Sequence, residues 1–192
     1  MRPLTLSFRG LLFILLLANL QCKKSHPPPN ILPPMTQDGK NTFGCMVNGE
    51  VWIPYSQCGL INFLTHCEEL QSVVTPFDTT SKLPLEVDLF ASRKIGQGSF
   101  TSFIIRTRIL KTGKFDSSFI VIYTRDSISY YLQYPISHVS NAITVTKLDT
   151  VNKIVSGTFY FTLYNSSYGF TSDSLVVTDG RFDVTYNACL CH

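Results

Sequence analysis

The chain has 192 residues, a formal charge of +3, and 15% charged against 44% hydrophobic side chains. That balance excludes a disordered chain, which combines low hydrophobicity with high charge. It also excludes a nucleic-acid binder driven by a basic field, and the length fits one folded domain.

The chain opens with Arg2 and Arg9, then an unbroken apolar run from Leu11 to Leu17, extended by Ala18. A membrane-spanning helix takes about 20 apolar residues. A shorter run behind positive charge is the pattern of an export signal, so residues 1–21 are predicted to be a signal peptide. Cys22 follows Asn19, Leu20 and Gln21. It resembles the lipobox cysteine of bacterial lipoproteins, where the usual pattern has an aliphatic and two small residues before the Cys; signals of the Bacteroidota are looser there. The resemblance implies lipidation at Cys22 and a membrane partner through that lipid. The other possibility is an ordinary cleaved signal, with Cys22 free or in a disulfide. Cleavage leaves 14 basic and 13 acidic side chains, a net +1, so bulk charge does not choose the partners.

Five of the ten prolines lie between Pro27 and Pro34. Clustered Pro favours extended polyproline II, so residues 22–40 are predicted to be the lipid anchor and a Pro-rich tether. Lipoproteins of that group sent to the cell surface carry acidic residues just after the Cys. Lys23 and Lys24 stand there instead, which predicts the periplasmic face of the outer membrane.

Residues 41–192 are predicted to form one all-β domain. The expected fold is an antiparallel β-sandwich or flattened barrel of about 8–10 strands. Phe43 to Val47, the pair Asn48-Gly49, and Val51 to Ile53 read as an opening hairpin, because Asn-Gly tolerates positive φ at both turn positions. A short helix is expected over 60–70. Further strands are expected at 71–76, 85–92, 101–110, 118–124, 127–134, 141–148, 153–164 and 174–186, from period-two alternation between polar turns. In the run 153–164 Phe159, Phe161 and Leu163 share one face. In the last, Phe182, Val184 and Tyr186 oppose Arg181, Asp183 and Thr185. Such alternation marks a sheet with one buried face.

Glu86 and Asp88 share one face of their strand, as do Arg106 and Arg108 of theirs. A turn at 95–98 places Asp88 opposite Arg106 and Glu86 opposite Arg108, as cross-strand ion pairs of about 0.2–1 kcal/mol each. The same arginines could instead form an anion patch. Asp78-Thr79, Asp126-Ser127, Asp149-Thr150 and Asp173-Ser174 each precede an aliphatic residue or Thr. The pattern is similar to the O-glycosylation motif of exported Bacteroidota proteins, which implies sugar on Thr79, Ser127, Thr150 or Ser174. It also describes a turn closed by Asp before a strand.

Exported proteins form disulfides. Cys45 is in phase with the apolar Phe43 and Val47 and is expected as a buried thiol. At least one bridge is expected between Cys58 or Cys67 and the pair Cys189, Cys191. With His66 and His192 these could instead ligate a metal, but paired C-x₂₋₄-C or H-x₃₋₅-H units are missing, so no metal and no cofactor are expected. No nucleophile elbow, zinc-protease or phosphate-loop pattern occurs, and no catalytic residue is assigned.

Asn41 to Pro54 (N-T-F-G-C-M-V-N-G-E-V-W-I-P), Ile143 to Asp149, Ile154 to Phe161 and Val177 to Val184 resemble landmarks of a family of uncharacterised Bacteroidota lipoproteins. That resemblance implies an envelope domain behind a lipid anchor and names no reaction. The expectation is a lipid-anchored binding or scaffolding domain for a carbohydrate or protein ligand, with no nucleic acid. Trp52, Tyr55, Tyr130, Tyr131 and Tyr134 are candidates to stack on sugar rings. The alternative is an envelope hydrolase of glycans or peptides whose site is assembled from distant residues.

Overall fold

Val47 and Glu50 face each other across Asn48 and Gly49, both with positive φ (50° and 82°). This is the two-residue hairpin that Asn-Gly favours, because its twist matches that of the strands. Asn48 also takes the turn into the sheet: its N–H donates to Val176 O and its side-chain oxygen accepts from Val176 N, both at 2.8 Å.

The structure, a computed structural model, describes residues 30–56, 70–76, 85–94, 99–109, 111–116, 119–132, 140–165 and 173–188. Its strands are β1 Thr42–Val47, β2 Glu50–Trp52, β3 Tyr55–Ser56, β4 Leu70–Pro76, β5 Leu85–Lys94, β6 Phe100–Ile109 and β7 Gly113–Phe115. They continue with β8 Phe119–Arg125, β9 Ile128–Tyr131, β10 Ala142–Asp149, β11 Ile154–Asn165, β12 Ser174–Thr185 and β13 Asn187–Ala188.

All thirteen join in one sheet, antiparallel except where β3 meets β5 and β13 meets β4. The sheet does not close into a barrel. It folds over one core as a sandwich. One layer runs β4-β5-β6-β8-β9 and the other β2-β1-β12-β11-β10-β7, joined where β9 pairs with both β8 and β11. Side chains point alternately to opposite faces of a strand, so each strand sends every second residue inward. Leu85, Val87, Leu89 and Ala91 of β5 meet Phe103, Ile105 and Ile109 of β6 and Phe119, Val121 and Tyr123 of β8. From the other layer come Phe43, Phe159, Phe161, Leu163, Val177 and Phe182. Rings bridge the layers: Phe103 lies 4.8 Å from Trp52 and 6.0 Å from Phe43, and Phe119 lies 5.6 Å from Phe161. Each such buried side chain contributes about 1.5–3 kcal/mol.

The strand count exceeds the expected 8–10. The additions β3, β7 and β13 have two or three residues, too few to carry a period. The expected helix over 60–70 falls outside the described residues except for Leu70, which opens β4.

The stretch 30–40, expected as free tether, lies against β1 and β12 and the ends of β10 and β11. Pro33 packs so closely on Gly44 that an added Cβ there would sit 2.7 Å from the proline ring. Arg181 donates to Pro33 O at 3.3 Å and Lys147 to Gln37 O at 2.8 Å. A tether has no reason to stay in place; this strap is bound by side chains that sequence proximity does not show. Residues 1–29, with the predicted signal and Cys22, lie outside the described residues.

Candidate functional site

Three charged constellations sit on this frame. The first is outward. Asp88 pairs with Arg106 and Glu86 with Arg108 in the β5–β6 register. Arg106 grips Asp88 side-on, Nε to Oδ1 at 2.7 Å and Nη2 to Oδ2 at 3.0 Å. Glu86 lies 3.5 Å from each arginine. The hydrogen bond to Asp88, then its charge, raises the Arg106 pKa further. Both guanidiniums are half exposed (50% and 56%), so this ladder neutralises itself in water and contributes little to stability.

The second is buried. Asp183 is fully shielded although the alternation places it on the polar face of β12. The strap covers it and supplies donors. Thr36 Oγ1 donates at 2.6 Å, and the backbone N–H groups of Asp38, Gly39 and Lys40 at 3.1, 2.9 and 3.2 Å. Ser156 Oγ of β11 adds a bond at 2.7 Å. Burial alone pushes this carboxyl up; the hydrogen bonds from Thr36, Ser156, Lys40 and Gly39 outweigh it and bring it down to about 2. A carboxylate is acceptor-only, and five donors satisfy its lone pairs. Its role is to clasp the strap.

The third is inward. In β5 the buried phase Leu85, Val87, Leu89, Ala91 continues to Arg93. In β8 the phase Phe119, Val121, Tyr123 continues to Arg125. Between them on β6 stands Thr101, paired with both. Arg93, Thr101 and Arg125 therefore form one cross-strand row at the open end of the sandwich. Two strand spacings set the arginine backbones roughly 10 Å apart. β2 roofs the row. Trp52 Nε1 donates to Thr101 Oγ1 at 2.9 Å, and Arg93 Nη1 to Val51 O at 3.2 Å. The result is a cleft of about 370 Å³ whose lining includes Asn48, Glu50, Trp52, Ser99 and Tyr123 beside the row.

Electrostatics set this cleft apart from the ladder. Among the described residues neither Arg93 nor Arg125 pairs with a carboxylate. Arg93 Nε is buried and has no hydrogen-bond partner there. A charge shielded from water without a partner is unfavourable. Burial pushes the Tyr123 phenol up, and the charge and hydrogen bond of Arg125 pull it partly back. Glu50 is the one carboxylate among the described lining residues. Sequence inspection passed over the cleft, yet it carries a signal: a charge in an otherwise apolar phase at the end of each of two strands.

Trp52 and Tyr130 are not free to stack on sugars. They are 4% and 5% exposed, and their rings join the core against Phe43, Phe103 and Tyr123. Alternation that marks an aromatic as sheet-borne does not tell which face the fold covers. Tyr55 and Tyr131 are half-buried, and Tyr134 lies outside the described residues. Ser127 and Thr150 stand exposed in turns, whereas Ser174 is half-buried in β12; Thr79 lies outside the described residues. The preceding aspartates work locally. Asp126 accepts from Phe100 N at 2.9 Å, Asp149 from Val151 and Asn152 N at 3.1 and 2.9 Å, and Asp173 from Tyr130 at 3.0 Å.

Cys45 is a buried free thiol, pushed well up by desolvation and so unreactive. Cys58, Cys67, Cys189 and Cys191, with all four histidines, lie outside the described residues. Among the described residues no three metal-binding side chains gather. Comparison with protein-family models, with curated proteins and with solved structures returns no match.

Proposed function

We propose that this chain is a lipid-anchored protein of the cell envelope that binds an anionic ligand in the mouth of its sandwich. The observation that carries the binding role is the inward row Arg93, Thr101, Arg125: two cations lining a cleft, with no carboxylate partner among the described residues. An anion entering the cleft supplies the missing partner, and the shielding of Arg93 Nε from water strengthens that attraction. Catalysis is not part of the proposal. Glycoside hydrolysis uses two carboxylates flanking the bond, and the described lining offers Glu50 alone.

The anchor rests on the sequence: positive start, short apolar run, then Cys22. Two or more acyl chains, at about 0.8 kcal/mol per buried CH₂, hold a protein stably to a bilayer. The Lys23-Lys24 pair favours the periplasmic face of the outer membrane.

Expression in a diderm host with a labelled fatty acid, beside Cys22→Ser, tests the anchor. Label and outer-membrane fractionation are expected for the parent and soluble, unlabelled protein for the variant. Equal fractionation of both would remove the lipid anchor from the proposal. Intact mass of protein taken from its native host reports any hexose added at Thr79, Ser127, Thr150 or Ser174, and an unmodified mass would remove glycosylation from the account.

A further inference from the structure

We infer that the ligand of the cleft is a hydroxylated carboxylate of the sugar-acid class, held as one ring with its acid group on the arginine row. This inference rests on the anion-binding role proposed above and names the chemistry of that ligand.

Size comes first. About 370 Å³ is near the small end of ligand pockets, which run from about 300 to 1,000 Å³. One ring fits inside, and the rest of a chain, if there is one, must lie outside.

The acid group is chosen by the guanidinium. Its planar fork matches a carboxylate in a two-point grip that an ammonium cannot give. The same chain shows that grip on the opposite face of the same layer, where Arg106 of β6 holds Asp88 of β5 by Nε and Nη2. In the cleft Arg93 is already aimed by its bond to Val51 O, so little side-chain freedom remains to be lost on binding.

The hydroxyls are chosen by the rest of the lining. Asn48, Glu50, Ser99 and Thr101 bring an amide, a carboxylate and two hydroxyls into a small space. Asn48 Oδ1 and Thr101 Oγ1 already accept from Val176 N and Trp52 Nε1, so these two side chains face a ligand as donors. Glu50 accepts hydrogen bonds from hydroxyls and repels a second acid group, so the ligand carries one acid end and one neutral polar end. Apolar carboxylates fit poorly, because the apolar lining is Val47, Val51, Trp52 and Tyr123, and Val47 is itself only 8% exposed. Trp52 and Tyr123 are 4% and 3% exposed and already packed in the core. A sugar acid answers each of these demands.

Trp52 is the chain's single tryptophan and stands in the lining, so its fluorescence reports the cleft directly. The experiment titrates the full chain in detergent with galacturonate, glucuronate, a galacturonate oligomer, glucose, acetate and inorganic phosphate. A saturable change with either uronate, at least about tenfold tighter than with glucose or acetate, is expected. Arg125→Gln should weaken it by about tenfold or more, while Arg106→Gln leaves it unchanged. Arg125 is exposed, and circular dichroism of its variant shows whether the fold is kept. Arg125→Lys, which retains charge without the fork, should fall between parent and Gln. Tighter binding of the oligomer than of the monomers identifies a glycan end as the source; equal binding identifies the free sugar acid. Phosphate binding that depends on Arg125, with no uronate response, overturns the sugar-acid assignment and leaves the anion cleft standing. Glucose binding as tight as galacturonate overturns it too. No response to any anion overturns both.

Discussion

Two pairs of arginines sit on neighbouring strands of one layer and face opposite ways. Arg106 and Arg108 of β6 point outward and meet Asp88 and Glu86 from β5. Arg93 of β5 and Arg125 of β8 line the mouth of the cleft, where Arg93 donates to Val51 O and Arg125 hydrogen-bonds the Tyr123 hydroxyl. Water can solvate the first pair, so its partners are a convenience. Arg93 is half-buried, with its Nε shut away from water and unpartnered. Arg125 stands exposed at the rim with no carboxylate partner among the described residues, so the unmet charge of this pair is an opening for a ligand. Charge of one kind thus does two jobs, and the face of the sheet decides which. Asp183 marks the far end of the scale: a buried charge whose partners are all supplied by the chain itself.

The largest effect should come from that end. Asp183→Ala strips five donors of their acceptor, and losses of about 3–5 kcal/mol are usual when one partner of a buried charged cluster is removed. Urea unfolding measures it. A loss under about 1 kcal/mol would mean that the strap's hydrogen bonds are replaced by water at no cost.

The same carboxylate sets an acid response. Its pKa falls from an ordinary 3.8 to about 2 in the folded chain. Stability from Asp183 is therefore complete above about pH 4 and is lost as pH falls toward 2. The Asp183→Asn chain should show a flatter acid limb over that window. Parallel acid limbs for the two chains would place the depressed pKa elsewhere.

Next comes the strap's packing. Gly44→Val puts a side chain where the Pro33 ring lies, and overpacking of this kind costs about 1–3 kcal/mol. Hydrogen exchange should then rise at Asp38, Gly39 and Lys40, whose N–H groups lose their hold on Asp183, and stay low in β5 and β6. Uniform loosening of all strands would show that the strap is integral to the core instead of docked on it.

The smallest effect belongs to the outward ladder. Asp88→Asn should cost no more than about 1 kcal/mol, and less in high salt. A larger, salt-independent cost would mean that the ladder is as structural as Asp183, and the contrast between the two faces would fail.

Much of this was legible in the chain. The opening hairpin follows from Asn48-Gly49, the core face of β11 from Phe159, Phe161 and Leu163, and the ladder register from the spacing of Glu86, Asp88, Arg106 and Arg108. Period two survives in β5, β6 and β11 because these strands are long and paired with antiparallel neighbours, while the hairpin is marked by its turn residues. The short strands β3, β7 and β13 carry no period. Asp183 looked like a solvent-facing residue because alternation separates two faces of a strand without saying what lies over each. Its cover, residues 36–40, is more than 140 positions away. The cleft needed the roof of β2 before Arg93 and Arg125 could be seen as lining anything, although each breaks the apolar phase of its strand.

The central claim is that the inward arginines bind and the outward ones brace. It is tested most directly by following Trp52 fluorescence through one titration series, with galacturonate and with phosphate, on the parent chain, Arg125→Gln and Arg106→Gln. The parent and Arg106→Gln should saturate at the same midpoint with at least one of the two anions, and Arg125→Gln should need about tenfold more. Indistinguishable curves for parent and Arg125→Gln, or an equal loss in Arg106→Gln, would contradict it.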